Sequence, residues 1–183
     1  MRWVAAMGCR QENNRRLAVL DGGLHRVPGL LALDFDEAFS GALLCPSADE
    51  VRAITRAIDA GIDVAVVTSA SERDVRAIFE RFGLTVSVLP DGGADAAFAR
   101  ARARVEHLAA FCAARGIAFQ DAAVVASSPE DCPMLLEAGT AFALETAGYD
   151  ARVAADAVFP VRAHGGLAAA IDAVVNGLHR RDP

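Results

Sequence analysis

Two carboxylates spaced i, i+2 close an apolar run in Leu30-Leu31-Ala32-Leu33-Asp34-Phe35-Asp36. At the exit of a strand, residues two apart point to one side. Like charges that close must share a cation or a proton. Mg²⁺, which takes hard oxygen ligands, is the usual solution. A lone Asp-x-Asp is more often a pair of capping or loop aspartates. Three further segments shift the balance. Thr68-Ser69 ends a second apolar run, Ser127-Ser128 ends another with Asp131 a turn later, and Arg100, Arg102 and Arg104 lie on a long helical stretch between them.

The elements that must position these residues follow from the apolar pattern. Residues 30–35, 63–68, 85–89 and 122–126 are short apolar runs suited to parallel strands buried on both faces. Further strands are expected near 141–144 and 157–159. Ser47 and Glu50 form a capping box for a helix over about 48–60, with Val51, Ile54, Ala57 and Ile58 at helical spacing and Gly61 as its stop. Ser71 is placed to cap a helix carrying Val75, Ile78, Phe79 and Phe82. A long helix is expected over about 95–115, a short one over 131–138, and a last one from Gly165-Gly166 to about 178. Pro90 and Asp91-Gly92-Gly93 read as a turn. Such alternation predicts a three-layer α/β/α, Rossmann-like domain with a mostly parallel sheet. Ligands of such sheets bind beyond the carboxyl ends of the strands, where the polar residues above fall. Residues 1–28 stand outside the alternation as an N-terminal extension, with a hairpin over 17–27. Residues 29–183 form the core domain.

Composition narrows the partners. The chain has 183 residues, a formal net charge of −6, one Tyr and one Trp, and neither a basic stripe nor stacking aromatics, so nucleic acid is not expected. It contains 40 Ala and no Lys, a pattern that a GC-rich coding sequence explains. Cys9, Cys45, Cys112 and Cys132 lack metal-ligand spacing and read as buried, reduced thiols of a cytoplasmic protein. No apolar stretch is long enough to cross a membrane.

Taken together, four segments resemble the haloacid dehalogenase (HAD) superfamily, and within it the 3-deoxy-D-manno-octulosonate 8-phosphate phosphatase branch. Leu33-Asp34-Phe35-Asp36-Glu37-Ala38-Phe39-Ser40 is similar to the first family motif, and Val64-Ala65-Val66-Val67-Thr68-Ser69 to the second. Ala126-Ser127-Ser128-Pro129-Glu130-Asp131-Cys132-Pro133 stands where the family has its acidic G-D-D-x-x-D-x-P, and Gly165-Gly166 resembles its closing turn. The resemblance implies Mg²⁺ held by Asp34, the Asp36 carbonyl and the position of Ser127, with Asp131 mostly behind them. It implies Asp34 as the nucleophile that becomes an aspartyl phosphate and Asp36 as general acid and base. Thr68, Ser69 and Arg104 would hold the phosphoryl group. A small phosphorylated molecule such as a sugar phosphate would be the substrate.

Several positions depart from that pattern. Glu37 replaces a Gly, Ser127-Ser128 replaces two aspartates, and Arg104 stands where the family has Lys. A neutral hydroxyl is a weak partner for a hard dication. No cap domain fits between Ser40 and Thr68 or between Thr68 and Arg104, because assigned elements fill both intervals. The expectation is therefore a phosphomonoesterase weakened by a lost metal carboxylate. The alternative is a degenerate pseudoenzyme, kept as a scaffold, an oligomerisation module or a regulatory partner of another protein. A phospho-acceptor receiver domain ranks below both, since it would want a Lys.

Overall fold

The computed structural model describes residues 17–20, 23–38, 45–91, 93 and 96–177. Leu17–Leu20 (β1) and Gly23–Arg26 (β2) pair antiparallel in a two-stranded sheet of their own. The main sheet begins with Leu30–Asp34 (β3), followed by the single turn of helix Phe35–Ala38 (α1) and by Ala48–Asp59 (α2). Asp63–Thr68 (β4), Glu72–Glu80 (α3), Ser87–Pro90 (β5) and Ala97–Ala114 (α4) come next. Ala122–Ala126 (β6), Cys132–Glu137 (α5), Thr140–Leu144 (β7), Tyr149–Ala154 (α6), Ala157–Phe159 (β8) and Gly166–Val175 (α7) complete the order. The six strands lie as β5-β4-β3-β6-β7-β8, and every neighbouring pair is parallel.

The apolar runs become central strands because both of their faces are covered. Leu31, Leu33, Val64, Val66 and Val125 point to one side, where they pack with Ile54, Val75, Phe79 and Ile171 from α2, α3 and α7. Leu30, Ala32, Ala65, Val67 and Val124 point to the other, against Leu108 and Cys112 of α4 and Met134 and Leu135 of α5. Full burial of each Leu, Ile or Phe is worth about 1.5–3 kcal/mol. The strands are thereby fixed as a rigid floor, and their carboxyl ends share one edge.

Two local signals act as their chemistry dictates. The Glu50 N–H donates to Ser47 Oγ, and the Ser47 N–H donates to Glu50 Oε2, closing the capping box at the start of α2. Gly61 takes a φ of 77° just past its end.

Other details differ from the sequence reading. The strand expected over 85–89 is Ser87–Pro90, shifted toward its carboxyl end. It is the sheet's edge strand, so the missing N–H of Pro90 leaves no inner ladder unsatisfied. The Ser71 side chain makes no capping bond; its backbone carbonyl accepts from Asp74 and Val75 instead. The last helix ends at Val175, before the expected residue 178, and Gly177 at φ 73° follows. The helices α1 and α6 were not expected, being too short to show a period. Of the thiols, Cys112 is buried and pushed up to about 11 by desolvation, whereas Cys45 and Cys132 are only half-buried. Cys9 lies outside the described residues.

Candidate functional site

The crevice is built where β3 and β6 run side by side, with Leu33 opposite Val125. Just beyond, one residue past Leu33 and two past Val125, the Asp34 and Ser127 side chains meet. Ser127 Oγ donates to Asp34 Oδ2 at 2.7 Å. Asp34 is 1% exposed, and its second oxygen, Oδ1, is buried with no hydrogen-bond partner.

Asp36, on α1, reaches across the end of β4. Its Oδ1 accepts from the Thr68 hydroxyl, and its Oδ2 accepts from the Ser69 N–H at 2.8 Å. Thr68 Oγ1 in turn accepts from the Ala70 N–H at 2.9 Å. The donors expected for a phosphoryl group are thus bonded to a carboxylate of the chain itself.

Arg104 comes from the inner stripe of α4, on which Ala101, Arg104, Leu108 and Cys112 are buried. That spacing puts a guanidinium at the end of an apolar ridge, aimed at the strand ends. Its Nη1 lies 2.6 Å from Asp131 Oδ1 and 3.5 Å from Asp34 Oδ1. Its Nη2 lies 3.8 Å from Asp36 Oδ2 and 4.0 Å from Asp91 Oδ2. Arg104 Nε is buried without a hydrogen-bond partner. Asp131 is fully buried, and its Oδ2 accepts from the Ser127 N–H, the Ser128 N–H and the Ser128 hydroxyl at 3.1–3.2 Å.

Burial holds the Asp34 carboxyl well above the usual carboxylate range, and the nearby Asp131 charge pushes the same way. The Arg104 charge and the Ser127 hydrogen bond pull it down without cancelling the rise.

The fold therefore brings together Asp34, Asp36, Thr68, Ser69, Arg104, Ser127, Ser128 and Asp131. It does not bring Arg102, which faces solvent and pairs with Glu106. Arg100 pairs with Glu130. His107 donates from Nδ1 to the Pro90 carbonyl at 2.8 Å. Asp91 was read as a turn residue, yet it is buried against Arg104, with its Oδ1 accepting from the Gly93 N–H. Its position one residue past the third apolar run, matching the other strand ends, was the available signal.

The donor set does not fit Mg²⁺. A hard dication wants several anionic or carbonyl oxygens around it. Here Asp34 Oδ1 is the one carboxylate oxygen of the Asp34–Asp131–Ser127 group left without a hydrogen bond, and a guanidinium stands 3.5 Å from it. Asp131 is taken up by Arg104 and the serine loop, and Ser127 offers only a hydroxyl. Among the described residues no group of three His, Cys, Asp or Glu converges as a metal site.

Comparison with known proteins places this architecture. No family model matches the sequence, and no curated protein matches it. Solved structures do match. A HAD family hydrolase from Streptomyces avermitilis superposes with a TM-score of 0.63 at 20% identity, over 82% of this chain and 86% of that one. The 3-deoxy-D-manno-octulosonate 8-phosphate phosphatase of Moraxella catarrhalis, solved with magnesium, phosphate and KDO, gives 0.65 at 16% identity, over 82% and 87%. A cobalt-bound deoxy-D-mannose-octulosonate 8-phosphate phosphatase from Haemophilus influenzae gives 0.63 at 16%, over 82% and 89%. The fold is that of the HAD hydrolases, a parallel α/β sheet with no large cap domain among the described residues. No described helix is long and apolar enough to cross a membrane.

Proposed function

We propose that this chain is a HAD-fold domain of phosphomonoesterase type whose turnover has lapsed, retained as a folded scaffold that engages a protein partner or a second copy of itself. The observation that carries this reading is the hydrogen bond from Ser127 to Asp34. It occupies one oxygen of the carboxylate that phosphoryl transfer would need free. Burial, the largest influence on Asp34, raises its pKa well above the usual carboxylate range, and a carboxyl group in its neutral form is a poor nucleophile for phosphorus. The Asp36 carboxylate, bonded to Thr68 and Ser69, further fills the place a phosphoryl group would take. The test is phosphate release from an aryl phosphate in the presence of Mg²⁺, Mn²⁺ or Co²⁺. Wild type is expected to release no more than an Asp34→Asn control. Release well above that control would overturn the reading.

A second reading is favoured by the convergence of Asp34, Asp36, Thr68 and Arg104 on one crevice. It is weakened, Mg²⁺-dependent hydrolysis of a sugar phosphate or similar monoester through an aspartyl phosphate on Asp34. In that case Asp36 would serve as acid and base, and Thr68, Ser69 and Arg104 would hold the phosphoryl group. Ser127 and Arg104 would first have to leave Asp34 to admit the metal. The same assay separates the two readings.

A further inference from the structure

One edge of the main sheet is a groove. β5 pairs with β4 on one side and has no strand on the other among the described residues. The outward N–H and C=O groups of such an edge are a template for a further strand. Helices overhang it from both faces of the sheet. Glu80 leans in from α3, on the side of Val75 and Phe79, and Phe111 and Arg115 from α4, on the side of Leu108 and Cys112. Between them lies a cavity of about 540 Å³ along the strand, with half-buried Val88 and Phe111 in its lining. Its arginines are already engaged. Arg115 is stacked 3.5 Å over Phe111 and donates to Ser87 Oγ at 3.3 Å, and Arg76 is paired with Glu72. Glu80 is exposed and has no ion pair among the described residues, so the charge left open in the groove is negative. A single extended segment fits between the two walls. A second copy's β5 does not, because it is recessed between its own helices in the same way.

The chain supplies such a segment before β1. Trp3-Val4-Ala5-Ala6-Met7 is an apolar run one residue longer than β5, flanked by Arg2 and Arg10. Residues 1–16 carry four Arg and one Glu in a chain of net charge −6, the sign that Glu80 would attract. The length suffices. Leu17 pairs with Arg26, four residues before β3 begins, which puts it at most about 20 Å from Leu30. β5 lies two strands beyond β3, roughly 10 Å further. The ten residues from Leu17 back to Met7 span up to about 35 Å when extended.

We propose that the Trp3–Met7 run of this chain docks as an added strand on the free edge of β5, with Trp3 in the groove and a flanking arginine toward Glu80. Backbone hydrogen bonds to β5 hold the segment, and its apolar side chains cover Val88 and Phe111. The inference concerns the sheet edge alone and is independent of the crevice and its turnover.

Trp3 is the single Trp of the chain, so tryptophan emission of the full-length protein reports on this segment alone. Wild type is expected to emit at shorter wavelength than the urea-unfolded chain, to resist acrylamide quenching, and to do both independently of protein concentration. Glu80→Arg and Phe111→Ala should lose the blue shift and the shielding. Val4→Pro combined with Ala5→Pro should lose them too. Adjacent strand residues aim their N–H groups to opposite sides, so one of the two prolines removes a donor to β5 in either register. Leu136→Asp, at an exposed apolar side chain on α5 beside β6 and β7, should leave the emission unchanged. Circular dichroism checks that each variant is folded. Should Phe111→Ala unfold, Glu80→Arg and the proline pair carry the test, since Glu80 is exposed and the prolines precede β1. Wild-type emission equal to that of the unfolded chain would overturn the proposal. So would a blue shift that the groove variants leave intact or that Leu136→Asp abolishes. A shift that grows with protein concentration would put a second copy's segment in the groove and overturn it as well.

Discussion

Ser127 Oγ stands 2.7 Å from Asp34 Oδ2, across 93 residues of sequence. The contact exists because β3 and β6 are parallel neighbours in register, so both strands end at the same level. The Ser127 hydroxyl favours the charged carboxylate, but burial and the Asp131 charge outweigh it, and Asp34 Oδ1 is buried with no hydrogen-bond partner.

Replacing Ser127 by Asp should therefore harm the fold. It sets a second carboxylate against the buried Asp34, with Arg104 already shared among four acids. The expected loss is roughly 3 kcal/mol, the scale of an uncompensated buried charge. Urea unfolding of Ser127→Asp in metal-free buffer measures it; an unchanged midpoint would mean that the crevice has spare positive charge.

Asp34 also predicts a pH signature. Its carboxyl is held above its ordinary value in the folded state, mainly by burial. Such a group contributes its full stability below the ordinary Asp range, and the contribution is lost as pH rises through the raised value. Asp34→Asn has no proton to lose. Its stability relative to wild type should grow as pH climbs through that window. Paired unfolding curves from acid to neutral pH check this, and a pH-independent difference would argue against a protonated Asp34.

Asp131 should prove the most sensitive carboxylate. Its Oδ1 holds Arg104 at 2.6 Å, while its Oδ2 gathers two backbone N–H groups and the Ser128 hydroxyl. Asp131→Asn turns one acceptor into a donor among donors and strips a buried guanidinium of its shortest partner. A loss of about 3–5 kcal/mol is expected. Equilibrium denaturation is the measurement, and a change below about 1 kcal/mol, the scale of an exposed pair, would show the contact to be dispensable.

Much of this was legible in the sequence because it depends on short-range signals. The apolar runs at 30–35, 63–68 and 122–126 gave strands to within a residue, and Ser47 with Glu50 gave the start of α2. The polar residues ending those runs assembled because parallel strands share a carboxyl edge. What sequence could not show was pairing. Nothing in the order of residues says that Asp36 would take the Thr68 and Ser69 donors, or that Arg104 would choose Asp131 over Asp34. Asp91 was hidden by its neighbours: Pro90 and the glycines after it read as a turn, and only the fold shows its carboxylate buried at the strand end. The short helices α1 and α6 lack the two turns a period needs.

Gly166 tests the frame rather than the crevice. A Cβ there would fall 1.7 Å from the Pro160 carbonyl oxygen, a backbone atom that cannot step aside without moving the start of α7. The α7 helix covers one face of the sheet through Leu167, Ile171 and Val174. Gly166→Ala should cost more than about 1 kcal/mol, above the usual range for a small substitution at the surface. A thermal midpoint equal to wild type would place α7 differently.

The most direct measurement is a crystal structure of the wild-type protein grown with Mg²⁺ and phosphate. Ser127 Oγ should remain on Asp34, Arg104 on Asp131, and the space between them should hold neither ion. An octahedral Mg²⁺ on Asp34, with phosphate against Thr68 and Ser69, would contradict the proposed lapse and favour the reading of a Mg²⁺-dependent phosphomonoesterase.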